Sequence, residues 1–140
     1  MIVYLASPNT QQQAEHAAGM PVLLSFACAS NWIERGYQQT FRRILVDSGA
    51  FSEFSSGKVV DLGKYIDWAL RWIGHADAVA GLDDISGDWR KSAVNYDRFP
   101  QGFPTYHETD PPAFLDDLIS MARERRHWIG LGLTPPRVGK

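Results

Sequence analysis

Short apolar runs alternate with longer amphipathic stretches along this chain. Met1–Leu5, Val22–Phe26, Ile44–Val46, Ala76–Leu82, Phe103–Tyr106 and Trp128–Leu133 are short and apolar enough to read as buried strands. Between them lie helical patterns. Ser7-Pro8-Asn9-Thr10 breaks the first strand and offers caps for a helix over Gln11–Ala18, ended by Gly19. Pro21 opens the second strand, where its missing N–H does little harm. Asn31 can cap a helix over Trp32–Gln39. Asp61 caps the clearest one, Leu62–Ile73, in which Leu62, Tyr65, Ile66, Ala69, Leu70, Trp72 and Ile73 recur at three- and four-residue spacing. A helix or irregular turn follows around Trp89–Tyr96. Asp110-Pro111-Pro112 starts a helix over Phe114–Arg125, because Pro suits a first turn. Ser52–Lys58 reads as a mobile polar loop.

This alternation predicts an α/β fold, a parallel sheet covered by helices. Polar residues gather where the strands end: Asp47, Asp83, Asp84, His107, Glu108 and Thr134. Such clustering at carboxyl ends suits a (β/α) TIM-barrel-like fold, and also an open doubly wound sheet. The barrel is the leading expectation, as a partial barrel of about six strands, since a complete one takes about 250 residues. Residues 1–140 would then be a single domain, incomplete at its C-terminal end or completed by a second copy or a partner chain.

Composition narrows the classes. With 140 residues, 44% hydrophobic and 21% charged, the chain can bury one core. A net charge of -2 is no nucleic-acid signature, although a local basic patch could still hold a polynucleotide. Arg42, Arg43, Lys58, Lys91, Arg123, Arg125, Arg126, Arg137 and Lys140 are scattered and read as a solvated face, with Arg123 to Arg126 complementing the end of their helix. The one cysteine, Cys28, sits in an apolar run and reads as a buried thiol. No apolar run reaches the roughly 18 residues of a membrane span, and the N-terminus is unlike a signal peptide, so a cytoplasmic protein with no membrane partner is expected. Neither G-x-G-x-x-G nor a P-loop occurs, and no cofactor is expected.

The stretch with most chemistry is Arg43-Ile44-Leu45-Val46-Asp47-Ser48-Gly49-Ala50-Phe51. A buried strand ends on a carboxylate, a Ser-Gly pair turns the chain, and an aromatic ring follows. Asp47 stands where an acid, a base or a ligand would be wanted, though an Asx turn would use the same residue.

Asp47-Ser48-Gly49-Ala50-Phe51 resembles the Asp-Ser-Gly-Gly-aromatic motif of tRNA-guanine transglycosylases. Tyr4-Leu5-Ala6-Ser7-Pro8, Gln11-Gln12-Gln13, Gly81-Leu82-Asp83-Asp84, Gly87-Asp88-Trp89-Arg90 and the stretch from Trp128 to Pro136 resemble more closely the short transglycosylase-like proteins of phages and bacteria associated with 7-deazaguanine modification of DNA. The resemblance implies exchange of guanine for a 7-deazaguanine in DNA or tRNA, through a glycosyl intermediate on a carboxylate. The target nucleotide must leave its stack to be reached. Asp47 would be the catalytic carboxylate beside the reacting base, acting in proton transfer. Ser48 and Gly49 would approach the base, and Phe51 would stack on it. Asp83 would accept hydrogen bonds from the guanine-like edge. His107 would take the place of a Gln-containing recognition motif, and Gly130 and Gly132 would belong to the Gly-rich strand end close to the base. The family's nucleophilic Asp lies on a later strand, past the Gly-rich one, and its zinc site of three Cys and a His has no counterpart here. A missing segment or a partner chain would have to supply the nucleophile.

Two other readings compete. One is a non-catalytic purine-binding or assembly protein. The other is a metal-dependent hydrolase using His107, Glu108 and Asp47, with His16 as a further ligand, although these residues match no metal motif in their spacing. His75 and His127 read as surface or capping residues. Trp68, Trp72 and Trp128 read as core, whereas Trp89 and Arg90 could face a pocket.

Overall fold

The computed structural model describes residues 1–29 and 35–132. Its elements are α1 (Gln11–His16), β1 (Pro21–Ser25), α2 (Phe26–Ala29), a 3-10 turn (Tyr37–Gln39), β2 (Arg43–Asp47), α3 (Ala50–Ser55), α4 (Leu62–Leu70), β3 (Ala78–Val79), α5 (Trp89–Arg98), β4 (Thr105–His107), α6 (Pro112–Arg125) and β5 (Gly130–Gly132). The expected Asn31-capped helix has its first residues, and the expected sixth strand its last residue with Thr134-Pro135-Pro136, outside the described residues. Of the described part of the former, Tyr37–Gln39 forms a 3-10 turn.

The strands form two small parallel sheets, three strands in the order β1-β2-β3 and two in the order β4-β5. This corrects the expectation of a six-strand partial barrel: the fold is mixed α/β, and the described residues form no barrel. Between the sheets the ladder shrinks to one bridge, Ala80 to Phe103. Two features limit it. Thr105 N, the next donor on that edge, is taken by the Tyr96 hydroxyl. Gly81 and Gly102 sit so close that a Cβ on Gly102 would lie 2.9 Å from Gly81 Cα, with the Tyr96 and Phe99 rings filling the remaining space. The first expected strand also fails. Only Leu5 is paired, with Val22, and Met1, Ile2 and Val3 are exposed because nothing among the described residues covers them.

Helix starts follow local chemistry. Thr10 forms a capping box with Gln13 at α1. Asp61 accepts from Lys64 N at α4, and Asp88 from Arg90 N at α5. The expected polar loop at Ser52–Lys58 is instead largely helical, and Gly57, at φ 75°, follows where α3 ends. Ser55 and Ser56 donate back to the carbonyls of Phe51 and Glu53, so the serines that suggested a loop are accommodated in the last turn. Two expected core residues are not core. β1 ends at Ser25 and the chain turns into α2, leaving Cys28 exposed. Trp128 precedes β5 and is half-exposed, with one face near Phe103. Arg125 does more than balance a helix end. It donates to Tyr96 O and Asp97 Oδ1, tying α6 to α5.

The main core joins Val22 and Leu24 of β1, Ile44 and Val46 of β2, and Tyr65, Trp68 and Ala69 of α4, with Trp72 and Phe99. Ile44 and Val46 alternate with half-buried Leu45 and Asp47, so one face of β2 serves the core and the other carries the carboxylate. Tyr65 lies edge-on to Phe99 and Phe26, and its hydroxyl donates to Ala80 O at the end of β3. α4 thus anchors the strand end that leads to Asp83. Tyr65→Phe should lower stability by about 1–2 kcal/mol, because a buried carbonyl loses its donor. Tyr65→Ala should cost about 3–5 kcal/mol. Urea unfolding of the three proteins checks both values.

Candidate functional site

Asp47, Asp83 and His107 come from three separate segments and meet around one cavity of about 200 Å³. Asp47 ends β2. Asp83 follows the bridge at Ala80, and His107 ends β4. Phe51, on α3, and Gly132, the last residue of β5, complete the wall with Asp110. All the contributing strands are parallel, so their carboxyl ends face the same way.

The turn after β2 is built by packing as much as by hydrogen bonding. Gly49 N donates to Asp47 Oδ2 at 2.9 Å, closing an Asx-type turn. Gly49 adopts φ 71°, and a Cβ there would lie 2.6 Å from Ser25 Oγ and 2.9 Å from Ala27. Only glycine fits both demands. Ser48 is buried and accepts from Ala50 N at 3.3 Å, while its hydroxyl points to Asp83 Oδ1 at a long 3.4 Å. Ser48 and Gly49 therefore shape the turn, and of the two only Ser48 lines the cavity.

Burial raises the pKa of Asp47, and the neighbouring Asp83 charge adds to the effect. The Gly49 and Ser48 N–H groups and the Ser25 hydroxyl oppose it. Ser25 stands beside Asp47 in the parallel register. Its buried hydroxyl is near enough to favour the charged form, yet makes no hydrogen bond of normal geometry with the described residues.

Asp83 and His107 are in direct contact across the site. His107 Nε2 lies 2.7 Å from Asp83 Oδ2, and both side chains are nearly buried. The hydrogen bond to Asp83 raises the His107 pKa, against the opposing effect of desolvation. Asp110 holds the backbone beneath: its Oδ2 accepts from His107 N at 2.9 Å, and its own N–H donates to His107 O. Gly132 makes room for the ring, since a Cβ there would lie 2.6 Å from His107 Nδ1. Gly130 faces Thr105 and Phe103 and does not line the cavity.

Asp84 belongs mainly to the following turn. It accepts from Ser86 Oγ and Asp88 N, and its own N–H donates to Ser92 Oγ. Glu108 is exposed and outside the cavity lining. Among the described residues, no three His, Cys, Asp or Glu side chains are grouped to hold a metal ion. Nor is any helix of the described residues long and apolar enough to cross a membrane.

Asp110 and Ser25 are the site residues that sequence reasoning missed. Asp110 stands before two prolines and looks like a helix start, but its position three residues after His107 also suits a side-chain cap on that residue's N–H. Ser25 gives no sequence signal, because its place beside Asp47 is set by strand register. Comparison with known proteins finds no matching family model, curated protein or solved structure.

Gly49→Ala should destabilise the protein by about 2–4 kcal/mol, combining a left-handed backbone with overpacking. Gly57→Ala, where φ is 75° but space is open, should cost only about 1–2 kcal/mol. Chemical denaturation separates the two. The pH dependence follows from the raised pKa values. The His107–Asp83 pair contributes fully below the unfolded His value, near pH 6.5, and is lost as pH rises through the higher folded value. Melting temperature should therefore fall through that window, and His107→Gln should remove this part of the fall. Asp47 has the same sign in a lower window: it costs stability as pH rises above about 4, because the folded state holds the proton more tightly. At neutral pH Asp47→Asn should melt no lower than the wild type.

Proposed function

We propose that this chain is a transglycosylase-like protein that exchanges guanine for a 7-deazaguanine in DNA or tRNA. The observation that carries the reading is the convergence of Asp47, the Asp83–His107 pair and Phe51 on one small cavity. Had these residues lined different surfaces, the resemblance would have had no site to support it.

The cavity is below the roughly 300–1,000 Å³ of pockets for drug-sized ligands, and its size suits one ring system better than a whole nucleotide. Phe51 is half-exposed and offers a ring face for stacking. Asp83 is an acceptor when ionised. A carboxylate has about four lone-pair sites, so its contacts with Ser48 and His107 leave capacity for the N–H donors of a guanine-like edge. His107, held by Asp83 and Asp110, fixes that edge's orientation.

Asp47 supplies proton transfer. Its raised pKa brings a carboxyl group nearer the range in which it can both take and return a proton. Base exchange needs this twice, because the departing guanine must be protonated and the entering base must lose a proton. The carboxylate that attacks the sugar would come from a missing segment or a partner chain. Neither step calls for a metal.

The test is incorporation of labelled guanine or 7-deazaguanine into polynucleotide. Label should enter with the wild type and fall at least about 100-fold with Asp47→Asn, the scale of a lost general acid–base group. No label entering either DNA or tRNA, with the native assembly present, overturns the reading. Retained binding of the free base in that case would identify a purine-binding protein.

A further inference from the structure

A larger cavity of about 610 Å³ adjoins the first and shares Ala50, Asp83, Asp84 and Ile85 with it. Its remaining wall is mainly apolar and cationic, with Ser86 and Asn95 as neutral polar residues. Phe54, Val59 and Val94 are exposed apolar residues, and Lys58, Arg90 and Lys91 supply the charge. Asp83 and Asp84 are the acids among its described lining residues, and both belong to the boundary with the first cavity. Lys58 and Arg90 form no ion pair with the described residues. Lys91 has only a 4.0 Å contact with Asp84 and stays mostly exposed. The Arg90 guanidinium lies 4.8 Å from the centre of the Trp89 ring.

α3 links the two cavities. Phe51 lines the first and Phe54 the second, one helical turn apart and each about half-exposed (49% and 54%). Exposed rings in succession beside exposed cations are the elements that hold unpaired nucleotides: each base has a face that can stack, and each sugar carries a phosphate. A duplex hides its base faces, and so does not match exposed rings.

We propose that this groove binds the single-stranded polynucleotide flanking the target base, with Phe54 stacking on a neighbouring base and Lys58, Arg90 and Lys91 contacting phosphates. The proposal rests on the base-exchange reading for its choice of ligand, and gives that site a polymer track. DNA and RNA share the required chemistry.

The experiment is fluorescence anisotropy of the full chain with a labelled single strand of about 12 nucleotides, as DNA and as RNA, over a salt series. Three phosphate contacts predict a log–log salt slope of about −2. The triple variant Lys58→Ala/Arg90→Ala/Lys91→Ala should weaken binding at least about tenfold and bring the slope close to zero. Phe54→Ala should weaken binding about tenfold with the slope unchanged, and Phe54→Tyr should restore it. The matching duplex should bind more weakly. An unchanged slope in the triple variant, no effect of Phe54→Ala, or equal affinity for the duplex each overturns the groove. A second copy covering it, seen as a concentration-dependent dimer that excludes the strand, also overturns it. Failure of the two readings is distinguishable. Groove-dependent binding without base exchange leaves the groove standing and removes the activity. Exchange with an unchanged KM for polymer in the triple variant leaves the activity and removes the groove.

Discussion

The 2.7 Å contact between Asp83 and His107 spans the junction of the two sheets. There the backbone contributes a single bridge, because Thr105 N is taken by Tyr96 and two glycines let aromatic rings close the gap. A nearly buried ion pair at such a junction is costly to assemble, since both groups lose water. Once assembled, it is costly to break, because Asp83 alone would be a buried charge and His107 a nearly buried ring without its hydrogen-bond partner. The site is thus constrained by the same contact that joins its two halves.

Other features support that contact from behind. Tyr65 fixes the end of β3 through Ala80, and Tyr96 both donates to Thr105 O and accepts from Thr105 N at the start of β4. Asp110 caps the His107 N–H, and Gly132 leaves room for its ring. Large aromatic residues thus hold the short strands where the ladders are too brief to do so. Trp72, Tyr65, Tyr96 and Phe99 are all fully buried.

Asp47 is held differently. It lies on the half-buried face of β2 beside Ser25, and its turn is packed so tightly that Gly49 has no room for a side chain. Burial raises its pKa while nearby N–H groups and a hydroxyl lower it. Asp47 and Asp83 therefore share one cavity with different partners: Asp83 is committed to a histidine, and Asp47 keeps a raised proton affinity. That asymmetry suits an arrangement in which one acid orients a ligand and the other moves a proton.

The sequence by itself determined the local elements whose causes are local. The strand at Ile44–Val46, the Asp61 cap of α4 and the turn at Asp47-Ser48-Gly49 could all be read from adjacent residues, whereas the expected stripe of α4 included Leu70 and Ile73, which are exposed. The placement of Asp47 and His107 at strand ends was legible too, but the strand expected over Ala76–Leu82 shrinks to Ala78–Val79 and leaves Asp83 in the loop after it. Tertiary structure decided whatever depended on distant neighbours. It withheld a strand from Met1–Leu5 for lack of a covering layer, drew the serines after Phe51 into a helix, and turned Cys28 and Trp128 to solvent. It also limited the pairing between β3 and β4, so that two small sheets stand where alternation alone suggested part of a barrel. Asp110 and Ser25 entered the site in the same way. Hydrophobic periodicity reports which face of an element is buried, but strand pairing, register and ring packing depend on which segments meet, and no local pattern fixes that.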